Sequence, residues 1–295
     1  MHVKDIKEFD LSTVPEYFSM VINGVRRSGK SRVLDWMINK MGSIGHKSFK
    51  FDEVYLLSST AGQQDDVFNF VEDDEHIIDE LSDDKIRAVL DKREKIFMQY
   101  KQNPERYDQP PNCLVIIDDL LTDKNNKNIF YSKPIAETYF KGRHLAVSVV
   151  ILTQYLKSLP PLIRSNSDIC ICFRDLRKSN RDCIISEYML YSDDKEKEKE
   201  ARQLLEDLTS ERYNAVCINR YIGQYASGFS EYVFKIKSEE HYDNKAFKLY
   251  PLPKDLNKMA IHAGEEEDNK EIVNNGLRGI KKASKIEKPK LKIFI

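Results

Sequence analysis

The sequence predicts an α/β protein whose mainly parallel sheet is flanked by helices. Phe18–Gly24, Asp52–Thr60, Asn112–Asp119, Ala146–Gln154 and Asp168–Arg174 are apolar almost without interruption and rich in β-branched residues. Charged, helix-compatible segments separate them, and the first run passes through the turn "GVRRSGKS" (Gly24–Ser31) straight into a helical pattern. Continuous rather than alternating apolar runs belong to strands covered on both faces, which is how parallel strands between helix layers read.

The elements follow in order. "FSMVING" is a strand stopped by Gly24, and the apolar spacing through Trp36 and Met37 makes the next segment a helix. "GSIGHKS" (Gly42–Ser48) is its C-cap and loop. Between the second and third strands lies a charged insertion, about residues 61–111. There Ile77, Ile78, Leu81, Ile86, Val89, Leu90, Ile96 and Phe97 recur near helical spacing and predict two or more helices. Ser192–Tyr213 is a further helix whose Lys/Glu half is a solvated face. "NAVCINRY" and "EYVFKIK" form a late strand pair that extends the sheet. Residues 1–253 thus make one domain. In 254–295 an acidic cluster precedes Arg278, Lys281, Lys282, Lys285, Lys288, Lys290 and Lys292, the composition of a mobile tail.

Composition narrows the function. Lys+Arg 47 against Asp+Glu 48 leaves a net charge of -1, so any hold on nucleic acid or membrane must come from local patches. The longest apolar stretch, Leu145–Leu152, falls well short of the ~20 residues that span a bilayer. The N-terminus lacks a signal-peptide core, which points to the cytosol. Cys113, Cys170, Cys172, Cys183 and Cys217 lie mostly within apolar runs, the pattern of reduced, buried thiols. Cys170 and Cys172 would share one strand face, but no second pair or nearby His completes a metal set.

Gly24–Ser31 fits G-x-x-x-x-G-K-[ST] between a strand and a helix. In such a loop, close-wrapped backbone amides face phosphate oxygens, the lysine reaches the terminal phosphates and the hydroxyl ligates Mg²⁺. Gly24, Val25, Arg26, Arg27, Ser28, Gly29, Lys30 and Ser31 are therefore the candidate nucleotide-binding residues. A carboxylate on a neighbouring buried strand is needed to hold the hydrated metal, and "CLVIIDD" supplies Asp118. Asp119 is placed to activate water as a hydrolase requires; alternatively, the two acids merely end a strand and cap the next helix. Gln154, ending "VSVVILTQ", can report the γ-phosphate through its amide, or simply begin a loop. A GTPase would need D-x-x-G and N-K-x-D downstream, and neither stands in the appropriate place. A small-molecule kinase would not need Asp119 and Gln154 together. A nucleotide-binding scaffold without turnover would have lost Lys30 or the acids.

These elements, with "KGRHLAVSVVILTQYLKSLPPLIRSNSDICICFR" after the acidic strand, resemble the poxvirus-type viral genome-packaging ATPases of the FtsK/HerA branch, over about Phe18–Arg174. The resemblance implies a RecA-like core, Mg²⁺-dependent ATP hydrolysis and a homo-oligomeric ring that drives double-stranded DNA into a preformed capsid. It further implies a capsid or portal-like vertex partner, leaves a separate nuclease open, and points to host cytoplasm, viral factory or virion. Lys30, Asp119 and Gln154 then take catalytic roles, and Ser31 and Asp118 the metal. An arginine reaching across the subunit interface is also implied, with Arg143 favoured and Arg164 the alternative. Arg26 and Arg27 contact either nucleotide or a neighbouring subunit. A cellular or plasmid DNA pump of the same branch shares this chemistry.

Overall fold

The computed structural model describes residues 5–58, 68–71, 76–78, 82–118, 129–190, 194–226, 228–252 and 256. The elements run β1 (Ser19–Asn23), α1 (Lys30–Ser43), β2 (Glu53–Ser58), β3 (Ile77–Ile78), α2 (Asp83–Gln102), β4 (Cys113–Asp118) and α3 (Lys133–Lys141). They continue through β5 (Val147–Thr153), α4 (Pro161–Ser165), β6 (Ile169–Phe173), α5 (Lys178–Ile184), α6 (Lys195–Leu208), β7 (Ala215–Asn219), α7 (Arg220–Gly223) and β8 (Val233–Ile236). Among the described residues the strands form one sheet in the order β3-β2-β4-β5-β1-β6-β7-β8. Every neighbouring pair from β3 to β6 is parallel, and β7 runs antiparallel to both β6 and β8.

Successive residues of one strand serve two cores. Val21, Val115 and Ile117 point into a layer with Ile135 and Tyr139 of α3 and Leu204, Leu205 and Leu208 of α6. Met20, Ile22, Leu114 and Ile116 point the other way, against Leu34, Met37 and Ile38 of α1. Removing both faces from water is what makes these strands apolar at every position. The parallel registers align Asn23 with Thr153 and Ser58 with Asp118, so the C-terminal ends of β1, β5, β4 and β2 are level. That rim is where ligands bind in open α/β sheets.

The expected strands are all present within one or two residues of their predicted ends. In the insertion α2 is the expected helix, but Ile77–Ile78 pairs with Leu56–Leu57 as edge strand β3. Two apolar residues carry no period of their own, and the free edge of β2 decides their conformation. Gly42 belongs to α1 rather than to a loop: a Cβ there would stand 2.1 Å from the Phe247 ring, which the segment after β8 lays onto the helix. The tail 254–295 lies outside the described residues except Leu256, which is buried.

α2 is anchored by a buried ion cluster. Arg93 is fully buried and donates from Nη1 to Asp52 Oδ1 and Glu53 Oε2, each at 2.7 Å. Lys92 reaches Glu53 Oε1 at 2.6 Å. Burial pushes Asp52 up to about 6 against the pull of Arg93. Burial also acts to raise Glu53, but Arg93 and Lys92 together hold it below the ordinary carboxylate value. No helix among the described residues is long and apolar enough to cross a membrane. All five cysteines are free and buried, with the Cys170 and Cys172 sulfurs 3.4 Å apart.

Candidate active site

The phosphate loop leaves β1 at its centre-sheet end. Gly24 N donates to Thr153 O at 3.1 Å, continuing the β1–β5 ladder by one bond. A Cβ on Gly24 would lie 2.4 Å from Ser28 Oγ and 2.9 Å from Phe173 Cβ, so only glycine lets the loop fold back at this point. Arg27 (φ 63°) and Gly29 (φ 107°) both adopt the left-handed region, which turns the chain into α1. Gly29 is the N-cap of α1 and makes no side-chain cap, so no cap side chain engages the first-turn amides.

Lys30 is buried, and its Nζ donates to Gly24 O at 2.9 Å and to Val25 O at 3.3 Å. Ser31 Oγ stands 3.4 Å from Asp118 Oδ2, and Asp118 is buried at the end of β4. Val25, Arg26 and Arg27 are exposed, while Ser28 is half-buried. Asp119 lies outside the described residues. Gln154 is half-buried directly after β5, and Thr153 Oγ1 accepts from Tyr155 N at 3.2 Å.

A polar latch behind this rim was not anticipated from the sequence. Asn180, fully buried on α5, accepts from Leu156 N at 2.9 Å through Oδ1. Its Nδ2 donates to Asn23 Oδ1 at 3.3 Å and also to Asp175. Arg177 donates to both Asp175 oxygens and to Gln154 O, and lies over the Tyr155 ring. Burial acts to raise Asp175, yet hydrogen bonds from Arg177 and Asn180 hold its carboxyl below the usual range. The latch therefore ties the end of the phosphate-loop strand to the backbone around Gln154. "RDLRKSN" after a buried strand hints at a polar turn, but the Asn180–Asn23 contact spans 157 residues and leaves no local signal.

The two trans-arginine candidates differ sharply. Arg164 is buried, forms a paired contact with Glu187 at 2.6 and 2.7 Å, and donates to Leu159 O. Arg143 is exposed in the turn Gly142–Leu145, at the opposite end of β5 from Thr153.

A sequence profile described as Poxvirus A32 protein matches residues 6–263. The chain belongs to that family. The A32 match bears out the resemblance and reaches past the Phe18–Arg174 span expected for it, taking in α6, β7 and β8. Among curated proteins, the chain is 34% identical over 84 residues to the uncharacterized protein 015R of Frog virus 3 (isolate Goorha), covering 28% of this chain and 25% of that protein. It is 29% identical over 86 residues to the uncharacterized protein 075L of Invertebrate iridescent virus 6, covering 29% and 32%. The chain thus spans about a quarter to a third of the length of the curated relatives it matches. Among solved structures, it resembles the genome packaging NTPase B204 from Sulfolobus turreted icosahedral virus 2 in complex with AMPPCP. That likeness has 14% identity, a TM-score of 0.48, and covers 76% of this chain and 98% of the other. ATPases 2 and 3 of EssC from Geobacillus thermodenitrificans match at 10% identity and a TM-score of 0.49, covering 83% and 42%.

Proposed function

We propose that this A32-family chain is the ATP-hydrolysing motor that drives double-stranded viral DNA into a preformed capsid. The observation that carries the chemistry is the level rim on which the Gly24–Ser31 loop, Ser31 Oγ and Asp118 Oδ2 meet, the hydroxyl and carboxylate 3.4 Å apart. Hard oxygen donors of this kind suit Mg²⁺, so Ser31 and Asp118 would hold it, and bound there it would neutralise phosphate charge. The loop amides and Lys30 bind and orient the triphosphate, exchanging the Gly24 and Val25 carbonyls for phosphate oxygens at the ammonium. Asp119 takes the proton of the attacking water, directly or through a second water. Gln154 orients that water, and the latch through Arg177 and Asn180 carries its position to the phosphate-loop strand.

Arg143 serves the site of a neighbouring subunit. It is exposed and lies at the far end of β5 from its own loop, whereas Arg164 is engaged by Glu187. A ring follows from that assignment, and it lets a chain of net charge -1 hold DNA through a few cations per subunit. A capsid or portal-like vertex protein is the docking partner, and a separate nuclease, where used, acts beside it in the viral factory, host cytoplasm or virion. Family membership favours this reading over a cellular DNA pump or a small-molecule kinase.

The test is ATP turnover with and without long double-stranded DNA. DNA stimulates the wild type, while Lys30→Ala and Asp119→Asn each lose about 10²–10³ in turnover. Arg143→Ala binds ATP normally but turns over slowly, and regains activity when mixed with Lys30→Ala subunits. A chain without Mg²⁺-dependent affinity for ATP overturns the reading, and mixtures that show no recovery overturn the role of Arg143.

A further inference from the structure

We infer that the cleft between the β6–α5 turn and the segment entering β7 binds the purine base of the nucleotide, with Tyr213 as its stacking platform. The inference rests on the nucleotide reading above and names where the rest of that ligand goes. The sheet order sets the direction. Asp118 and Gln154 lie on the β5 and β4 side of β1, so a triphosphate whose terminal phosphate faces them projects its nucleoside toward β6 and β7.

On that side the phosphate loop itself opens into a cleft of about 840 Å³, walled by Val25 and Ser28, by Leu176, and by Tyr213. That volume suits a nucleoside-sized ligand. The walls are partly apolar and unusually open for such residues: Leu176 is 76% exposed and Val25 40%. Arg174 Nη1 donates to Ser210 O at 3.3 Å, bracing one wall against the other.

Tyr213 is the most telling residue. Its φ of 69° places an aromatic residue in the left-handed region, a strained backbone of the kind that collects at ligand sites. The ring lies against the loop, since a Cβ built on Gly29 would be 3.3 Å from Tyr213 Cδ1. The Arg212 guanidinium sits 4.7 Å from the ring centroid and covers one face, and the residue still keeps 41% of its surface open to solvent at the cleft, surface on which a base can pack. A stacked base gains affinity through its π face, and the phosphates need none of it.

The experiment measures ATP and tripolyphosphate affinities of the full chain, side by side, for wild type, Tyr213→Gly, Tyr213→Trp and Lys30→Ala. Glycine accepts the positive φ, so Tyr213→Gly deletes the ring without adding backbone strain. It weakens ATP about tenfold while tripolyphosphate stays within about twofold, and Tyr213→Trp restores ATP binding. In Tyr213→Trp, fluorescence of the new indole responds to ATP and not to tripolyphosphate. Equal loss of both ligands in Tyr213→Gly, or no loss of either, overturns the base site. Lys30→Ala weakens both ligands together; if it weakens neither, the phosphate-loop reading itself is what fails.

Discussion

A buried cation lies beside β2 and β4 at one end of the sheet and another beside the end of β1 at the opposite end, and the partners described for the two differ. Beside the N-terminal ends of β2 and β4, Arg93 sits between Asp52 and Glu53 at 2.7 Å each, with Lys92 adding a second cation. At the C-terminal ends, Lys30 rests on the carbonyls of Gly24 and Val25, and Asp118 meets the Ser31 hydroxyl at 3.4 Å. In the first cluster charge answers charge inside the protein, and its product is attachment of α2 to β2. In the second, the contacts described for the ammonium include the carbonyls of Gly24 and Val25, acceptors that a polyphosphate outcompetes. Burial of ions alone therefore does not mark a functional site; what marks it is a set of partners that a ligand can replace.

Mutations at each end sharpen the contrast. The largest effect is expected from Arg93→Met, which leaves two buried carboxylates short of their shared partner. It costs about 3–5 kcal/mol in urea unfolding, while the molecules that remain folded hydrolyse ATP at the wild-type rate. Asp118→Asn reverses the pattern: turnover falls by about 10²–10³ and the melting temperature stays at or above that of the wild type. Loss of activity in the Arg93 variant beyond its unfolded fraction would break the division between the two ends. The smallest effect belongs to the latch. Asn180→Ala strands the buried Leu156 amide at a cost of about 1–3 kcal/mol, and it lowers kcat more than it raises KM because Gln154 loses its alignment.

Much of this arrangement was legible in the sequence, and the reason differs by element. The strands announced themselves because Met20, Val21 and Ile22 serve opposite cores and so must all be apolar. The phosphate loop was readable because Gly24, Gly29, Lys30 and Ser31 are bound to fixed spacings by the backbone turn they build. Ile77–Ile78 was not, since its strand depends on pairing with Leu56–Leu57 rather than on its own pattern. Asn180 is one polar residue among several in "RDLRKSN", and its partner Asn23 is distant in the chain. Gly42 reads as a loop residue until Phe247 is seen to occupy the space of its missing side chain. The sequence favoured Arg143 over Arg164 but carried no sign of their surroundings: Arg164 is buried against Glu187, a partner 23 residues away, and Arg143 is exposed.

The reversal of β7 has a consequence for how the cleft can vary. Because β7 opposes β6, the residues arriving at its start, Ser210–Asn214, return to the same rim as the phosphate loop, where a parallel strand would have brought its own far end instead. That short connection is separated by β1 and β6 from the strands bearing Asp118 and Gln154. Changes within those five residues would therefore alter the cleft beside the phosphate loop while leaving the strands of Asp118 and Gln154 untouched.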